Sequence, residues 1–293
     1  MFKRTNMPVF IAEVSSNHHQ DLNRCLAFID AAHQSGSHAV KFQLFRIDEL
    51  FTADVLATSP EHRARARWEL PVAFLPELAK KSHDLGLLFS CTPFYLEAVA
   101  QLKPYVDFYK VASYELLWDD LLAACAKTLK PVVISTGMST MDEIAHAIDV
   151  LKAAGCIDLT VLQCVSSYPA PPEQMNLSAI ETLRATFGVP VGLSDHSVSG
   201  AIISRAVHHF GAVAIEYHLD LDGKGEEFAS GHCWLPDQIA HVISDINTGI
   251  LADGDGIKQP ALSEMADRDW RTDPVDGLRP RLSIRTKGKA DDA

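Results

Sequence analysis

The sequence lacks any long apolar run and any excess of basic residues. Across its 293 residues, nothing approaches the roughly 20 consecutive apolar residues that a membrane-spanning helix needs. Acidic residues outnumber basic ones, 38 to 26, and the formal net charge is −12. Because nucleic acid is bound by a basic face, this balance argues against a nucleic-acid partner, and the missing apolar run argues against a membrane partner. The net charge does not exclude the binding of small anionic ligands, since a few buried cationic side chains can bind them locally.

Paired cysteine motifs and a secretory leader are also missing. None of the six cysteines belongs to a CxxC pair, and most of them lie in apolar runs. Reduced, buried thiols are therefore favoured over a set of disulfides. The apolar stretch at the N-terminus is too short for a signal peptide. Together these features predict a cytoplasmic protein.

What the sequence does contain is a repeated alternation of two patterns. Short apolar runs, rich in β-branched and aromatic residues, each precede a stretch with helical periodicity. Apolar strands that alternate with helices are typical of a parallel sheet covered by helices, and eight such units close into a barrel. We therefore predict an α/β fold, a (β/α)8 TIM barrel, over a doubly wound open sheet, which would carry a GxGxxG turn after its first strand. The predicted strands are residues 9–14, 39–43, 87–92, 107–112, 131–136, 159–164, 190–195 and 212–219.

The barrel is expected to occupy residues 1–252, and residues 253–293 are expected to form an irregular tail. This tail is rich in Asp, Gly, Pro and Arg, and its last part, 285–293, is predicted to be disordered. The connection 44–70 after the second strand is unusually long, which is typical of a lid or a binding loop. Its Arg-rich run 61–69 is either a solvated helix face or a substrate clamp.

Polar residues collect at the carboxyl ends of the predicted strands, where a barrel places its functional groups. Lys41 and Lys110 lie within the second and fourth strands, and unpaired ammonium groups among apolar neighbours are costly. Two such lysines at one barrel mouth indicate an anionic ligand. Hydroxyl groups on neighbouring strands complete a cradle for phosphate and carboxylate, although each one alone is more often a helix cap. These hydroxyl groups belong to Thr92, Ser113, Ser135 and Ser194.

Two histidines end neighbouring strands of the predicted barrel. His196 follows the seventh strand and His218 lies in the eighth. Two imidazoles with the nearby carboxylates of Glu13 and Glu216 suit a divalent ion such as Mn, Fe, Co or Zn. The alternative is a pair of structural histidines bonded to Asp195 and Glu216. Asp195 itself either orients His196 or caps the following helix.

Eight motifs in a fixed order resemble the sialic acid synthase family. They span about residues 9–250 and read IAEVSSNHHQDL, AVKFQLF, FSCTPF, YKVASYE, KPVVISTGMST, QCVSSYPAPPEQMNL, VGLSDHSVSG and IEYHLDLD. The resemblance implies a (β/α)8 barrel that condenses phosphoenolpyruvate with an N-acetylated aldose. Such an enzyme releases phosphate and makes a nonulosonic, sialic-acid-like 2-keto-3-deoxy acid. The resemblance also implies a divalent metal cofactor, Mn²⁺ or Mg²⁺, and leaves a homodimer open.

The same resemblance implies roles for individual residues. The positions that bind phosphoenolpyruvate match Lys41, Thr92, Lys110, Ser113, Ser135 and Ser194, together with Ser166 or Ser167 in a loop where some members use Asn. Groups that face the sugar match Glu13, Gln43 and Tyr168. Glu115 and Glu216 match carboxylates near the reacting carbons, and with Glu13 they are the predicted catalytic residues. The metal ligands match His196 and His218.

Two departures from the family pattern bear on the sugar. Typical members add a C-terminal domain that brings an arginine to the site, and residues 252–293 are too few for it. Either Arg268, Arg271 or segment 44–70 is therefore expected to complete the sugar site, or the site admits another substrate. A Gly-Pro-Asp segment is expected after the eighth strand, but this chain reads GKGEEFASGHCW. Glu226 or Glu227 stands nearest to the missing Asp, and we assign Glu227 to substrate binding.

Two other functions are compatible with these residues. One is a barrel that binds an anionic sugar without catalysis, as a regulatory or partner subunit. The other is a metal-dependent hydrolase, which leaves the two strand-borne lysines unexplained.

Overall fold

A computed structural model describes residues 7–287 of the chain. Contacts within the chain define two compact units, the first ending at Ile250 and the second beginning at Leu251. The predicted boundary after residue 252 falls close to this division, and both lie within the helix Pro236–Asp253.

Nine strands of the described residues form one sheet. They are β1 (Val9–Glu13), β2 (Ala39–Leu44), β3 (Leu88–Pro93), β4 (Phe108–Val111), β5 (Val132–Ser135), β6 (Leu159–Cys164), β7 (Val191–Asp195), β8 (Ala214–Leu219) and β9 (Cys233–Trp234). All neighbours pair in parallel and in sequence order, and β1 also pairs with β8. The first eight strands therefore close into a barrel, and the predicted (β/α)8 TIM barrel is confirmed. The short β9 pairs with the outer end of β8.

Helices alternate with the barrel strands. They are α1 (Leu22–Gln34), α2 (Ile47–Leu50), α3 (Ala53–Thr58), α4 (Pro60–Ala64), α5 (Leu75–Asp84), α6 (Leu96–Leu102), α7 (Asp119–Lys127), α8 (Met141–Ala153), α9 (Ala179–Phe187), α10 (Gly200–His208), α11 (Glu226–Ala229), α12 (Pro236–Asp253) and α13 (Leu282–Lys287). Segment 44–70, predicted as a long connection, contains α2, α3, α4 and a 3-10 turn at Arg65–Trp68.

Capping residues in the sequence stabilise the starts of two helices, α1 and α8. The side chain of Asp21 accepts hydrogen bonds from the backbone N–H groups of Asn23 and Arg24, which caps the start of α1. Thr140 and Glu143 form a reciprocal capping box at the start of α8. These two helices begin where their capping residues predict.

The barrel interior changes from apolar to polar between two successive layers. A cluster of buried apolar side chains fills the lower layer, and it includes Ile11, Ala39, Phe108, Val133, Leu162 and Ala214. Side chains two residues further along a strand point to the same face. The next layer is therefore built by Glu13, Lys41, Lys110, Ser135, Cys164 and Glu216. A second, larger apolar cluster of strand and helix residues makes up the rest of the core.

The second unit consists of short helical turns joined by loops. Two 3-10 turns, Leu262–Glu264 and Arg268–Trp270, precede α13. The carboxylate of Asp273 accepts hydrogen bonds from the backbone N–H groups of Val275, at 2.9 Å, and Leu282, at 2.7 Å. These bonds hold the start of α13. Of the segment 285–293 that was expected to be disordered, 285–287 belong to α13 and 288–293 lie outside the described residues.

No helix within residues 7–287 is long and apolar enough to cross a membrane. The six cysteines are free thiols, and five of them are buried.

Candidate active site

A cavity of about 760 Å³ opens at the carboxyl ends of the barrel strands. All residues predicted for the site line this cavity except Thr92 and Ser166. The lining members are Glu13, Lys41, Gln43, Lys110, Ser113, Glu115, Ser135, Tyr168, Ser194, His196, Glu216, His218 and Glu227. The closed barrel thus brings to one opening groups that lie more than 200 residues apart in the sequence.

Two lysines and two carboxylates form a buried ion network, which we call the lysine half of the cavity: Glu13, Lys41, Lys110 and Glu216. Lys41 is paired with Glu13, and its Nζ lies 3.8 Å from Oε2 of Glu216. Nζ of Lys110 lies 3.4 Å from Oε1 of Glu216. None of the four side chains is more than 6% exposed. Each buried ammonium group therefore has a carboxylate that offsets its loss of water.

Burial and pairing shift the pKa values of this network. Burial disfavours the charged form of Lys41, but Glu13 and Glu216 outweigh that effect and raise the lysine pKa. Burial lowers the pKa of Lys110, which Glu216 only partly opposes. Although burial opposes ionisation of Glu216, Lys110 and Lys41 hold the pKa of its carboxyl below the usual range. Glu216 is thus an ionised carboxylate at neutral pH.

Glu115 has the opposite character from Glu216. It lies in the 3-10 turn Ser113–Glu115 after β4, and burial raises its pKa to about 8 against the weaker influence of Lys110. Within the described part of the chain, its buried Oε2 has no hydrogen-bond partner. Glu115 is therefore mostly protonated at pH 7. A protonated and an ionised carboxyl group at one cavity are suited to act as an acid and a base.

Serine hydroxyls surround the lysine half on the β4 to β6 side. Oγ of Ser113 accepts a hydrogen bond from the backbone N–H of Gly137, at 3.0 Å. Oγ atoms of Ser135 and Ser166 are buried and find no partner among residues 7–287, so both have a hydrogen bond to give. Ser167, the alternative to Ser166, donates to the backbone oxygen of Pro169, at 2.9 Å. The structure therefore leaves Ser166 as the free hydroxyl of that loop.

Two other hydroxyls act on the charged groups. Oγ1 of Thr92 accepts a hydrogen bond from Nζ of Lys41, at 3.3 Å, so Thr92 supports a lysine although it does not line the cavity. Ser194 donates to Oε1 of Glu216, at 3.0 Å.

The two predicted metal-ligand histidines face each other across the other side of the cavity. The ring centroids of His196 and His218 lie 5.3 Å apart, and the ring of Tyr168 lies 4.2 Å from the first and 6.0 Å from the second. Nδ1 of His196 lies 2.8 Å from the backbone oxygen of Val165, which accepts a hydrogen bond only from a protonated nitrogen. This bond leaves Nε2 of His196 with its lone pair, the form that a metal ligand needs.

The carboxylate hydrogen-bonded to His218 is that of Glu227. Glu13 is the register partner of His218 on β1, and Glu216 precedes His218 by two residues on β8, so both lie near that histidine as expected, although each is paired with a lysine. Oε2 of Glu227 lies 2.8 Å from Nδ1 of His218 and 3.4 Å from Nε2 of His232. Burial opposes the ionisation of Glu227, but the bonds to these two imidazoles keep its pKa well below the usual range. We call His196, His218, Glu227 and His232 the histidine half of the cavity.

The donor groups of this region fit a divalent metal. Ligand atoms of His218, Glu227, His232 and Cys233 all lie within 4.8 Å of one another. Imidazole and carboxylate groups are common ligands of divalent transition ions. His196 is not part of this four-residue group, although its ring neighbours that of His218.

Asp195 fastens a turn and does not orient His196. Its Oδ1 accepts hydrogen bonds from the backbone N–H of Ser197, at 3.1 Å, and from the Ser197 hydroxyl, at 2.6 Å. Asp195 therefore does not cap α10, whose N-cap residue is Ser199, and the predicted helix cap is wrong; its carboxylate stabilises the turn before that helix.

The Arg-rich run of segment 44–70 divides between the surface and the cavity. Arg63 is exposed and bonds to backbone oxygens of its own segment. Arg67 forms a two-point ion pair with Glu226, at 2.7 and 2.9 Å, and both side chains are exposed. Arg65 lines the cavity, with its guanidinium 5.6 Å from the ring centroids of both Phe51 and Trp68. Arg63 and Arg67 thus fit the interpretation as a solvated face, and a substrate clamp stays a prediction for Arg65. Arg268 and Arg271 belong to the second unit, and their contribution stays a prediction.

His232 is a cavity residue that the sequence did not point to, and Arg65 was included only as part of the Arg-rich run 61–69. His232 lies in the stretch GKGEEFASGHCW, from which only Glu226 and Glu227 were predicted to contribute to the site. The sequence does place a third histidine soon after the eighth strand, in a stretch with two adjacent glutamates, and this pattern could have indicated His232 as a site residue. Arg65 gave no such signal, because three arginines alternate in its run and only the fold selects which one faces inward.

Comparison with known proteins identifies relatives over most of the chain. A family model described as the NeuB family matches residues 28–258. An uncharacterised protein of Methanocaldococcus jannaschii is 36% identical over 88% of this chain and 75% of its own length. The N,N'-diacetyllegionaminic acid synthase of Campylobacter jejuni is 32% identical over 87% of this chain and 80% of its own length. The crystal structure of a sialic acid synthetase from Leptospira borgpetersenii, in complex with citrate, is also similar. It matches with a TM-score of 0.78 and 32% identity over 89% of this chain and 90% of that chain.

Proposed function

This chain belongs to the NeuB family, and on that premise we propose that it is a phosphoenolpyruvate-dependent nonulosonic acid synthase. In this proposal it condenses phosphoenolpyruvate with an N-acetylated aldose, releases phosphate and forms a 2-keto-3-deoxy acid. The observation that carries the proposal is the pair of buried lysines that faces one cavity together with the histidine half. The named relatives are synthases, which favours catalysis over the alternative of a sugar-binding partner subunit.

The lysine half is the proposed phosphoenolpyruvate site. Lys41 and Lys110 supply two positive charges in a region that excludes water, where they interact strongly with phosphate and carboxylate. The free hydroxyl of Ser135 supplies a further hydrogen bond, and Ser113 and Ser194 line the same cavity. Ser166 has a free hydroxyl but does not line the cavity, so its contact with the substrate stays a prediction. Because Glu115 is mostly protonated at pH 7, it adds no negative charge that would repel the substrate.

The histidine half is the proposed metal site, with His196 and His218 as the ligands predicted from the sequence. A divalent ion bound there supplies a Lewis acid that polarises the aldehyde oxygen of the sugar. Mn²⁺ suits imidazole ligands better than Mg²⁺, which prefers oxygen ligands and retains its water.

Glu216 of the lysine half and the neighbouring Glu115 carry the proton transfers of this proposal. C3 of phosphoenolpyruvate forms a bond to the aldehyde carbon, and Glu115 gives its proton to the aldehyde oxygen. Water then adds to C2 while Glu216, as the ionised carboxylate, takes the proton of that water. The C2–oxygen bond to phosphate breaks, the C2 hydroxyl becomes the keto oxygen, and phosphate leaves with the proton of that hydroxyl. The lysines hold both charged ends of phosphoenolpyruvate in place, which is a contribution from positioning.

The sugar is proposed to lie between the histidine half and segment 44–70. Gln43, Tyr168, Arg65 and Trp68 line the cavity, as does Glu13 of the lysine half. The relatives are named for different acids, legionaminic and sialic, so the proposal extends to the class of N-acetylated aldoses and not to one sugar. A cytoplasmic location and a homodimeric assembly stay predictions.

The proposal is tested by incubating the protein with Mn²⁺, phosphoenolpyruvate and a panel of N-acetylated hexosamines. We expect release of phosphate and an equal amount of a 2-keto acid with at least one sugar. A protein that binds phosphoenolpyruvate but turns over none of these sugars would contradict the proposal.

A further inference from the structure

The guanidinium group of Arg65 brings a positive charge to the cavity without an acidic partner. Lys41 and Lys110, the two lysines that line the same cavity, are each paired with a carboxylate. Within residues 7–287, by contrast, the partly buried side chain of Arg65 makes no hydrogen bond or ion pair, and its Nε atom is buried. A charge that is withdrawn from water without a partner is costly, so a negative group on a ligand would stabilise it.

Five carboxyl groups line the cavity, and none of those groups pairs with Arg65 in the described part of the chain. They belong to Glu13, Glu115, Glu216, Glu226 and Glu227. Four of them are held by the lysines, by Arg67 or by His218. The fifth, Glu115, is mostly protonated at pH 7 because burial raises its pKa to about 8. The positive charge of Arg65 is therefore available to a ligand.

Neighbouring side chains hold Arg65 in position. Its guanidinium group lies over the rings of Phe51 and Trp68, at 5.6 Å from each ring centroid. Nε2 of Gln20 donates hydrogen bonds to two backbone oxygens of the adjoining chain, at 3.0 and 2.9 Å, which fastens the 3-10 turn Arg65–Trp68. Contact between the guanidinium face and aromatic rings leaves the N–H groups at its edge free to bind a ligand.

A guanidinium group in this setting favours an oxyanion over a neutral oxygen. Its parallel N–H groups match two oxygens of a carboxylate or a phosphate ester, and hydrogen bonds between charged groups are the stronger ones. The apolar rings of Phe45, Phe51 and Phe94 line the same cavity, and a low local dielectric strengthens the attraction. The hydroxyl or amide oxygens of a neutral sugar would leave the charge of Arg65 uncompensated.

The position of Arg65 in the chain indicates which end of a substrate it meets. Lys41 lies inside β2, whereas Arg65 belongs to segment 44–70, which follows that strand. The proposed function places phosphoenolpyruvate at the lysine half, with the aldehyde of the sugar beside it. A group that reaches Arg65 is therefore at the other end of the sugar.

We propose that Arg65 binds an oxyanion of the aldose, a phosphate ester or a carboxylate, at the end remote from the aldehyde. The inference rests on the proposed function and narrows its substrate class from N-acetylated aldoses in general to anionic ones. A neutral N-acetylated aldose is then a poorer substrate of the same reaction.

The test compares an N-acetylated hexosamine with its 6-phosphate and with the matching hexosaminuronic acid, whose C6 is a carboxylate. The kcat and KM of each sugar are measured at saturating phosphoenolpyruvate and Mn²⁺ in the unmodified protein, in Arg65→Gln and in Arg65→Lys. The matched control is Arg63→Gln, which removes the same charge from an exposed side chain of the same run.

We expect kcat/KM to be at least about tenfold higher for one of the anionic sugars than for the neutral sugar. The better of the two identifies the oxyanion as a phosphate or a carboxylate. Arg65→Gln should raise the KM of that sugar by about tenfold and keep its kcat within about threefold, with the KM of phosphoenolpyruvate unchanged. Arg65→Lys should retain part of the preference, and Arg63→Gln should retain all of it.

Equal kcat/KM for neutral and anionic sugars in the unmodified protein overturns the proposal. An equal loss for both kinds of sugar in Arg65→Gln also overturns it, because that result is expected if the side chain only packs against Phe51 and Trp68.

A second measurement needs no variant and no turnover. Phenylglyoxal modifies arginine side chains, and mass spectrometry measures the rate at Arg65 and at Arg63 in the unmodified protein. The hexosamine 6-phosphate, or the hexosaminuronic acid if that is preferred, should slow modification of Arg65 by about tenfold at about ten times its Kd. The rate at Arg63 should not change. Unprotected Arg65, or equal protection by phosphoenolpyruvate alone, overturns the proposal.

The outcomes separate the role of Arg65 from the proposed function. If the anionic sugar protects Arg65 but no sugar is turned over, the synthase proposal fails and the assignment of Arg65 stands. If sugars are turned over without regard to their charge, the assignment of Arg65 fails and the synthase proposal stands.

Discussion

The two halves of the cavity are built in different ways. All four members of the lysine half lie inside strands, on β1, β2, β4 and β8, and their positive and negative charges balance. In the histidine half only His218 lies inside a strand. His196 follows β7, Glu227 lies in α11, and His232 precedes β9. Residues inside strands are placed by the barrel itself, whereas residues in loops are placed by the loop conformation.

A substitution in the lysine half should have the largest effect on stability, because it leaves a buried charge without its partner. Lys41→Met removes the partner of Glu13, and we expect a loss of about 3–5 kcal/mol in the free energy of unfolding, measured with denaturant. Lys41→Met with Glu13→Gln should recover most of that stability without restoring phosphoenolpyruvate binding. A single variant as stable as the unmodified protein would show that the ion network is not buried as described.

Breaking the histidine half should change metal binding and spare the lysine half. His218→Ala removes an imidazole from the metal site, and we expect a fall of about 100-fold in Mn²⁺ affinity, equivalent to about 2.7 kcal/mol. Phosphoenolpyruvate affinity measured without metal should stay within twofold. If His218→Ala lost affinity for Mn²⁺ and for phosphoenolpyruvate to the same extent, the two halves would be one coupled site.

The pH dependence of phosphoenolpyruvate binding sharpens the role of Glu115 beside the lysine half. Burial raises its pKa to about 8, so the group is neutral below that pH and a repelling anion above it. Affinity should therefore fall by about tenfold between pH 7 and pH 9. The Gln side chain of Glu115→Gln has the shape of Glu but stays neutral. The affinity of this variant for phosphoenolpyruvate should therefore not change between pH 7 and pH 9. If the affinity of Glu115→Gln for phosphoenolpyruvate still falls, the cause would be loss of the proton of Lys110, whose pKa is lowered by burial.

The smallest effect is expected at the surface pair outside both halves. Arg67 and Glu226 are 57% and 67% exposed, so their ion pair is well screened by water. A double-mutant cycle with Arg67→Gln and Glu226→Gln should give a coupling free energy of at most about 1 kcal/mol. A larger coupling would indicate that segment 44–70 is held in place by this contact.

The barrel was predictable because each strand is an apolar run, and the observed ends differ from the predicted ones by at most two residues. Two features were not predictable from local patterns. β9 has only two residues, too short for any periodicity. Helices α2, α3 and α4 have four to six residues each and no buried residue, so they lack an apolar stripe.

The cavity residues inside strands were predictable from the sequence, whereas those in loops were not. Lys41 and Lys110 were conspicuous because each is a charge within an apolar strand. The pairing of His218 with Glu227 depends on a loop that Asp220 shapes, accepting hydrogen bonds from the backbone N–H groups of Asp222, at 3.1 Å, and Gly225, at 2.9 Å. Such side-chain-to-backbone bonds set the position of Glu227 without leaving a periodic pattern in the sequence.

In the proposed enzyme the two halves of the cavity bind different ligands, an anion at the lysines and a cation at the histidines. A crystal soaked with Mn²⁺ and phosphoenolpyruvate tests this division directly, because anomalous scattering locates the metal. We expect a manganese peak beside His218 and the phosphate within hydrogen-bond reach of Lys41 or Lys110. A manganese peak beside Glu13 and Glu216, or a phosphate that contacts neither lysine, would contradict it.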